Sequence, residues 1–397
     1  MLAGNYPDMS LHLNRTDPVN LGMRGALYDL TNFSNAKDSK YSTVDDPAAW
    51  ENDPDKAYLL DYETVLKRFQ PSAAMPYYYD DGTDHKPLFA LPDTQGFFIM
   101  YYRTDVFERM GIEYPETANG GNGWTWTDFL DAATILQRNN MEAYVPYTKI
   151  AAAGTVNAGM GSLHLFGTML AQNNVDLYNE DRNKTNLTSA EAIAAFTEWT
   201  DLYTKYGIEK QMDFYNRFRT GTAPLGIASY GVYTQLTQAA PEIQGRWRIC
   251  AIPGTLQEDG TIKRSIAGSG TGCGVINASD NKEDAWRFLC WWTSADTQLR
   301  YNNNVESILG AVSRTATANI EAFSSYSWNA NDLEILLSQW AEVQELPEVP
   351  GGYYVSRAID QAYWAVLNDT DNEKDAMLEW GEVADSEIIR KIKEYAK

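Results

Sequence analysis

The sequence predicts an α/β protein built from two domains. A compact apolar and aromatic run, Phe97–Tyr102, reads as a buried strand and leads directly into two helical segments. Short apolar strands then alternate with amphipathic helices along the remaining chain, the order of an α/β architecture. With 397 residues there is material for two units of ordinary size.

Composition narrows the function. Hydrophobic residues make up 44% and charged residues 22%, as in ordinary globular proteins. A net charge of −22 argues against nucleic acid or an anionic membrane surface as a partner, and fits neutral ligands or cations. The 12 Trp and 25 Tyr are many for this length. Most aromatics build cores, while a fraction lining a cleft would suit sugar rings. Cys250, Cys273 and Cys290 have no metal-ligand spacing and read as buried free thiols. No stretch approaches ~18 uninterrupted apolar residues, so no transmembrane helix is expected. The first residues carry neither a basic-apolar secretion signal nor a lipoprotein cysteine.

Taken in order, Met9–Leu13 reads as a short strand ending in Asn14-Arg15-Thr16-Asp17-Pro18. Ligands of open α/β sheets collect beyond the carboxyl ends of strands, which makes Asn14, Arg15 and Asp17 candidate contacts. A solvated turn broken by Pro18 is the other reading. Asn32–Asp61 is polar; its Asp-rich part, 45–55, hints at calcium ligation by oxygen but lacks the EF-hand pattern, so a surface loop is expected. Tyr62–Phe69 follows as a helix, then an Asp81-Gly82 turn and a strand over Pro87–Leu91. Beyond Phe97–Tyr102, Thr104 can cap a helix closed by Gly111, and Thr125 with Asp128 forms a capping box for a helix burying Phe129, Ala133 and Leu136.

A strand at Tyr144–Thr148 leads through the small-residue loop Ala151–Gly161 into a helix, Ser162–Gln172. That loop has neither a Walker ending nor a dinucleotide fingerprint. Thr188–Tyr206 is the clearest amphipathic helix, with Thr188 and Glu191 at capping-box spacing and Phe196, Trp199 and Tyr203 on one face. Tyr230 stands where a strand ends and a helix opens, a place for a stacking ring or for a core staple. Arg246–Ile252 is a strand, and alternating glycines from Gly268 to Gly274 permit close backbone approach. Asp280–Thr293, with Asp280 and Glu283 at box spacing, is a strong helix. Pro347–Tyr354 is a turn before another, and Met377–Tyr395 closes the chain with Lys391 and Lys393 complementing the helix dipole.

This order resembles the extracellular solute-binding proteins of bacterial ABC importers, specifically the carbohydrate-type family 1. The matching residues are Leu91-Pro92 before the central strand, Thr125-Trp126 opening a helix, Tyr206-Gly207-Ile208 and Phe218–Ile227. Pro253-Gly254, Ala285–Leu289 with Gln298, and Ser307–Val312 continue the match. The resemblance implies the type II periplasmic-binding-protein-like fold: two α/β lobes joined by a hinge, with a cleft between them. Lobe 1 would hold 1–99 and 267–312, and lobe 2 100–266 and 313–397. Gly4–Asp8 resembles a turn that in the family follows two strands and a helix of the first lobe, so that part of lobe 1 is expected to be missing here. The resemblance further implies cleft contacts from Asp93, Gln95, Tyr230, Gly268 and Ser269. Glu306 would contribute from a loop, and Tyr353 and Tyr354 from the start of a late helix. It implies an ABC permease as partner, no cofactor and an extracytoplasmic place, as a monomer.

Catalysis finds little support. His12, His85 and His164 sit in no nucleophile or zinc motif, and no local pattern singles out a carboxylate pair from 54 acidic residues. A binder of some other solute on the same fold, or a secreted glycoside-active enzyme, are the competing expectations.

Overall fold

The structure is a computed structural model that describes residues 6–38, 60–80, 82–146 and 162–395. The Asp-rich segment 45–55 and the loop Ala151–Gly161 lie outside the described residues. The chain runs β1 (Met9–Asn14), α1 (Asp17–Gly22), β2 (Leu91–Gly96), β3 (Phe98–Arg103), α2 (Thr104–Met110), α3 (Trp126–Gln137), β4 (Ala143–Tyr144) and α4 (Ser162–Gln172). It continues through α5 (Ala190–Thr204), β5 (Leu225–Ser229), α6 (Gly231–Ala239), β6 (Trp247–Cys250), β7 (Ile266–Ala267), β8 (Ser269–Val275) and α7 (Lys282–Trp292). Last come α8 (Ala295–Leu309), α9 (Ile320–Ser324), α10 (Ala330–Ala341), β9 (Val343–Gln344), α11 (Tyr353–Leu367) and α12 (Glu373–Tyr395).

Two sheets organise these elements. In the first, β8 lies between β1 and β2, antiparallel to both. Its glycines are there for proximity: a Cβ on Gly270, Gly272 or Gly274 would come within 3 Å of Thr94 O, the Ala90 methyl or Phe89 O. The second sheet has the order β4-β5-β3-β6. Its β3 is buried at every position, which is why the run is continuously apolar and aromatic rather than alternating.

Each sheet has its own core. Under the first, Phe33 stacks on Trp286 at 4.7 Å, with Leu91, Val275 and Leu289 around them. On the second, Trp199 stacks between Phe166 and Tyr363. The chain passes between the two sheets at β2–β3, at β7–β8 and through the stretch joining α8 to β9. Within that stretch Ala318 N–H donates to Asp93 O and Asn319 to Thr293 O, while α10 packs on β6. β9 then pairs in parallel with β7.

Several local expectations hold. The Thr125–Asp128 capping box is complete in both directions, and Gly111 closes α2 at φ 68°. Others shift. Ser189, not Thr188, caps α5 by accepting from Ala192 N–H, and α7 begins behind Asn281 with no side-chain cap. Glu306 belongs to α8 rather than a loop, because Ser294 caps a helix that runs on to Leu309. Asp93 and Gln95 lie within strand β2 itself.

A candidate binding site between the two sheets

Where the strands of the first sheet meet the second, buried polar groups gather along a seam. Arg15 follows β1 directly and is 8% exposed. Its Nη1 donates to Leu346 O at 3.1 Å and lies 3.2 Å from Glu348 Oε2. Gln95, from β2, donates Nε2 to Glu345 Oε1 at 2.6 Å. Glu345 and Glu348 sit on the segment after β9, where Pro347 and Pro350 remove N–H donors and hold the backbone extended. Gly268 belongs here because a Cβ would collide with the Glu345 carboxylate, the Gln95 amide and, at 2.6 Å, the Val343 methyl. Asn20 Oδ1 accepts from Gly351 N–H at 3.0 Å, and Ser72 donates to Val343 O at 2.7 Å, adding two further ties.

The electrostatics of the seam are uneven. Two fully buried carboxylates face one guanidinium. Burial pushes both Glu345 and Glu348 up to about 7; the Gln95 hydrogen bond and the Arg15 charge oppose the shift at Glu345, and the Arg15 charge opposes it at Glu348. Glu345 Oε2, Glu348 Oε1 and the Tyr178 hydroxyl have no hydrogen-bond partner among the described residues. A cavity of about 880 Å³ opens beside Glu345 and Tyr178, with Ser72, Met75, Leu177 and Leu346 also lining it. An Asp80–Arg182 ion pair at 4.0 Å joins residues of the same cavity wall.

A pH dependence follows. The unfolded chain releases these protons near 4.5, while the folded protein holds them to about 7. Their contribution to stability is therefore fully present below about pH 4.5 and is lost as pH rises through 7. Glu345 is the carboxylate in excess of Arg15, and Gln can still accept from Gln95. Glu345→Gln is expected to raise the melting temperature at pH 8 and leave it nearly unchanged at pH 5, read by thermal melts at both values.

A second cluster stands at the end of β1. Asp93 is 3% exposed; its Oδ2 accepts from His12 N–H at 3.1 Å and lies 2.7 Å from His12 Nδ1. Its Oδ1 accepts from Trp292 Nε1 at 2.8 Å.

The structure thus brings Arg15, Gln95, Gly268 and Tyr230 together, the last through its hydroxyl donating to Gln95 O at 3.2 Å. The Tyr230 ring is enclosed, with Phe97 at 4.7 Å and Phe323 at 5.6 Å. Ser269 is half-buried opposite Gly96. Asn14 and Asp17 are engaged with each other, Asn14 donating from both its backbone and its side chain to Asp17. Glu306 accepts from Arg314 at 2.7 Å, and that guanidinium lies 4.4 Å over Trp328. Tyr353 and Tyr354 open α11 with their rings 5.0 Å from each other, Tyr353 reaching Glu387 on α12. Nothing in the sequence marks Glu345, Glu348 or His12 as a site residue. The acids have no local signature, and His12 becomes conspicuous only through its contact with Asp93. Among the described residues no group of three or more His, Cys, Asp or Glu side chains could hold a metal ion, and no helix is long and apolar enough to cross a membrane.

Comparison with known proteins gives a consistent result. A family model described as bacterial extracellular solute-binding protein matches residues 1–304. The chain is similar to the solute-binding protein of an ABC transporter from Thermotoga lettingae TMO bound with alpha-D-tagatose. The identity is 19%, covering 98% of this chain and 86% of that one, with a TM-score of 0.66. Against the sugar-binding protein MalE of Xanthomonas citri the TM-score is 0.71, at 15% identity over 100% of this chain and 87% of that one. The ABC substrate-binding protein Lmo0181 of Listeria monocytogenes, in complex with cycloalternan, gives 0.64 at 19% identity over 97% and 86%. These similarities show the periplasmic-binding-protein fold. No curated protein sequence matches significantly.

Proposed function

The chain belongs to the bacterial extracellular solute-binding protein family, and from that premise we propose that it captures a sugar or oligosaccharide between two lobes and hands it to the permease of an ABC importer. The observation that carries this reading is the connection between the sheets. Three passes of the chain gather along one seam, so each sheet and its core can swing as a body about it. The proposed lobes are 1–99 with 267–312 and 100–266 with 313–397, residues 315–320 forming a strap that hydrogen-bonds back to the first.

A carbohydrate as solute is supported by the aromatic content and by the ligands named for the tagatose- and cycloalternan-bound neighbours. The protein works outside the cytoplasm, in a periplasm or tethered to the cell surface, as a monomer and without turnover. Asn14, Asp17, Ser269 and Glu306 are assigned to the cleft margin. Arg15, Gln95 and Gly268 support the hinge, and Tyr230 backs the cleft from the core. Tyr353 and Tyr354 remain candidate contacts of the second lobe.

Thermal melting with a panel of mono- and oligosaccharides tests this directly. At a sugar concentration 100 times Kd the folded state gains about 2.7 kcal/mol, so one or more sugars should raise the melting temperature while no reducing ends accumulate over hours. A flat panel, or release of reducing ends, would contradict the reading.

A further inference from the structure

We infer that His12 is a solute-contacting residue, an imidazole clamped beside an aromatic platform that donates from Nε2 to an oxygen acceptor of a saccharide. The assignment rests on the sugar-binding function proposed above. Three features of the fold converge on this residue.

The first is backbone strain. The β1–β8 register shifts between Ser10 and Leu13, and His12 within that irregularity has φ 55°. Left-handed backbone at a non-glycine residue is strained and persists only where the surroundings impose it. Here Asp93 imposes it: the bent backbone lets the His12 amide and ring nitrogen share one carboxylate oxygen.

The second is orientation with exposure. Nδ1 is committed to buried Asp93, yet 55% of the His12 side chain is accessible, and Nε2 has no partner among the described residues. A buried carboxylate that fixes one ring nitrogen determines what the other can offer. Asp93 is the charged group facing His12, from β2; α7 presents the uncharged Trp292. The hydrogen bond to Asp93 raises the His12 pKa above 6.5, against the effect of burial, so the imidazolium with its Nε2–H donor persists to higher pH than in a free histidine.

The third is the platform. Trp292 meets the His12 ring edge-on at 6.4 Å and is itself held by Asp93 Oδ1. Tyr301, 42% exposed, packs against Trp292 at 5.2 Å, and Trp291 is 40% exposed beside them. Exposed rings next to an oriented donor are what a sugar needs, its C–H face on the aromatics and its oxygens on the imidazole. The cluster lies in the C-terminal half of β1, two residues before the strand ends at Asn14.

The test uses the intact protein and any sugar that raises its melting temperature, with neutral and carboxylate-bearing members of the panel as separate arms. Kd is measured calorimetrically at pH 6 and pH 8.5 for wild type and for His12→Gln. Wild type should bind about tenfold or more tightly at pH 6 than at pH 8.5, since loss of a charged donor costs about 1.5–3 kcal/mol. His12→Gln should bind more weakly at pH 6 and lose the tenfold difference between the two pH values, leaving only the smaller dependence that Glu345 and Glu348 contribute at the hinge. The carboxylate arm should have the steeper profile if the acceptor is anionic; equal slopes assign a hydroxyl or ring oxygen. As a second readout, the chain has only three histidines, so ring proton resonances can be assigned by comparison with His12→Gln. Saturating sugar should raise the His12 titration midpoint. An unchanged midpoint in the bound protein, or the full tenfold pH dependence surviving in His12→Gln, overturns the assignment. A panel that binds nothing at either pH overturns the sugar reading and this assignment with it.

Discussion

Replacing Arg15 with Met should destabilise the protein by about 3–5 kcal/mol at pH 8, because it strands a buried carboxylate without its counter-charge. In wild type the guanidinium sits 3.2 Å from Glu348 Oε2 and also satisfies Leu346 O. Two carboxylates share that single cation, both pushed up to about 7 by burial. At pH 5 they can take up protons instead, so the loss should shrink to that of one hydrogen bond and some packing, about 1–2 kcal/mol. A double-mutant cycle separates the causes: in a Glu348→Gln background, Arg15→Met should cost much less at pH 8. Chemical denaturation of the four proteins at the two pH values gives all the numbers. Equal costs at both pH values would mean Arg15 acts through packing alone.

Gly268→Val comes next in size, with an expected cost of about 2–5 kcal/mol from overpacking combined with a broken buried hydrogen bond. The new Cβ would overlap Glu345 Oε1 and Gln95 Nε2, the two atoms that bond each other across the seam. Neither end can swing aside, since both side chains are buried at 3% and 2% exposure. Gly231 supplies the control. It opens α6, where a Cβ would meet only Ser229 Oγ at 3.6 Å, so Gly231→Ala should change stability by no more than about 0.5 kcal/mol. Comparable losses at the two positions would show that the seam is looser than its geometry indicates.

Sequence and structure agree best where the signal is local. Thr125 and Asp128 are three residues apart and bond each other whatever the rest of the chain does. The strand at Phe97–Tyr102 is recognisable because double-sided burial demands an unbroken apolar run. The two-sheet plan follows from such elements in sequence. The site is less legible because its pairs are made by tertiary structure. Arg15 stands out as a polar residue at a strand end, but its partner Glu348 arrives from the far end of the chain and turns a candidate ligand contact into a buried tie. Glu345 and Glu348 look like any of 54 acidic residues until Gln95 and Arg15 are placed against them. Tyr230 shows the converse: a ring at a helix start suits stacking, yet Phe97 and Phe323, distant in sequence, fold around it. His12 has no motif. Its significance lies in a backbone angle and one hydrogen-bonded carboxylate.

The central claim is that two lobes close on an uncharged or weakly charged ring. Small-angle X-ray scattering of the wild-type protein, with and without a saturating sugar chosen from the melting panel, tests it most directly. Closure should lower the radius of gyration on binding, and the change should reverse when the sugar is dialysed away. A radius of gyration that stays constant while calorimetry reports a fully occupied site would contradict the account.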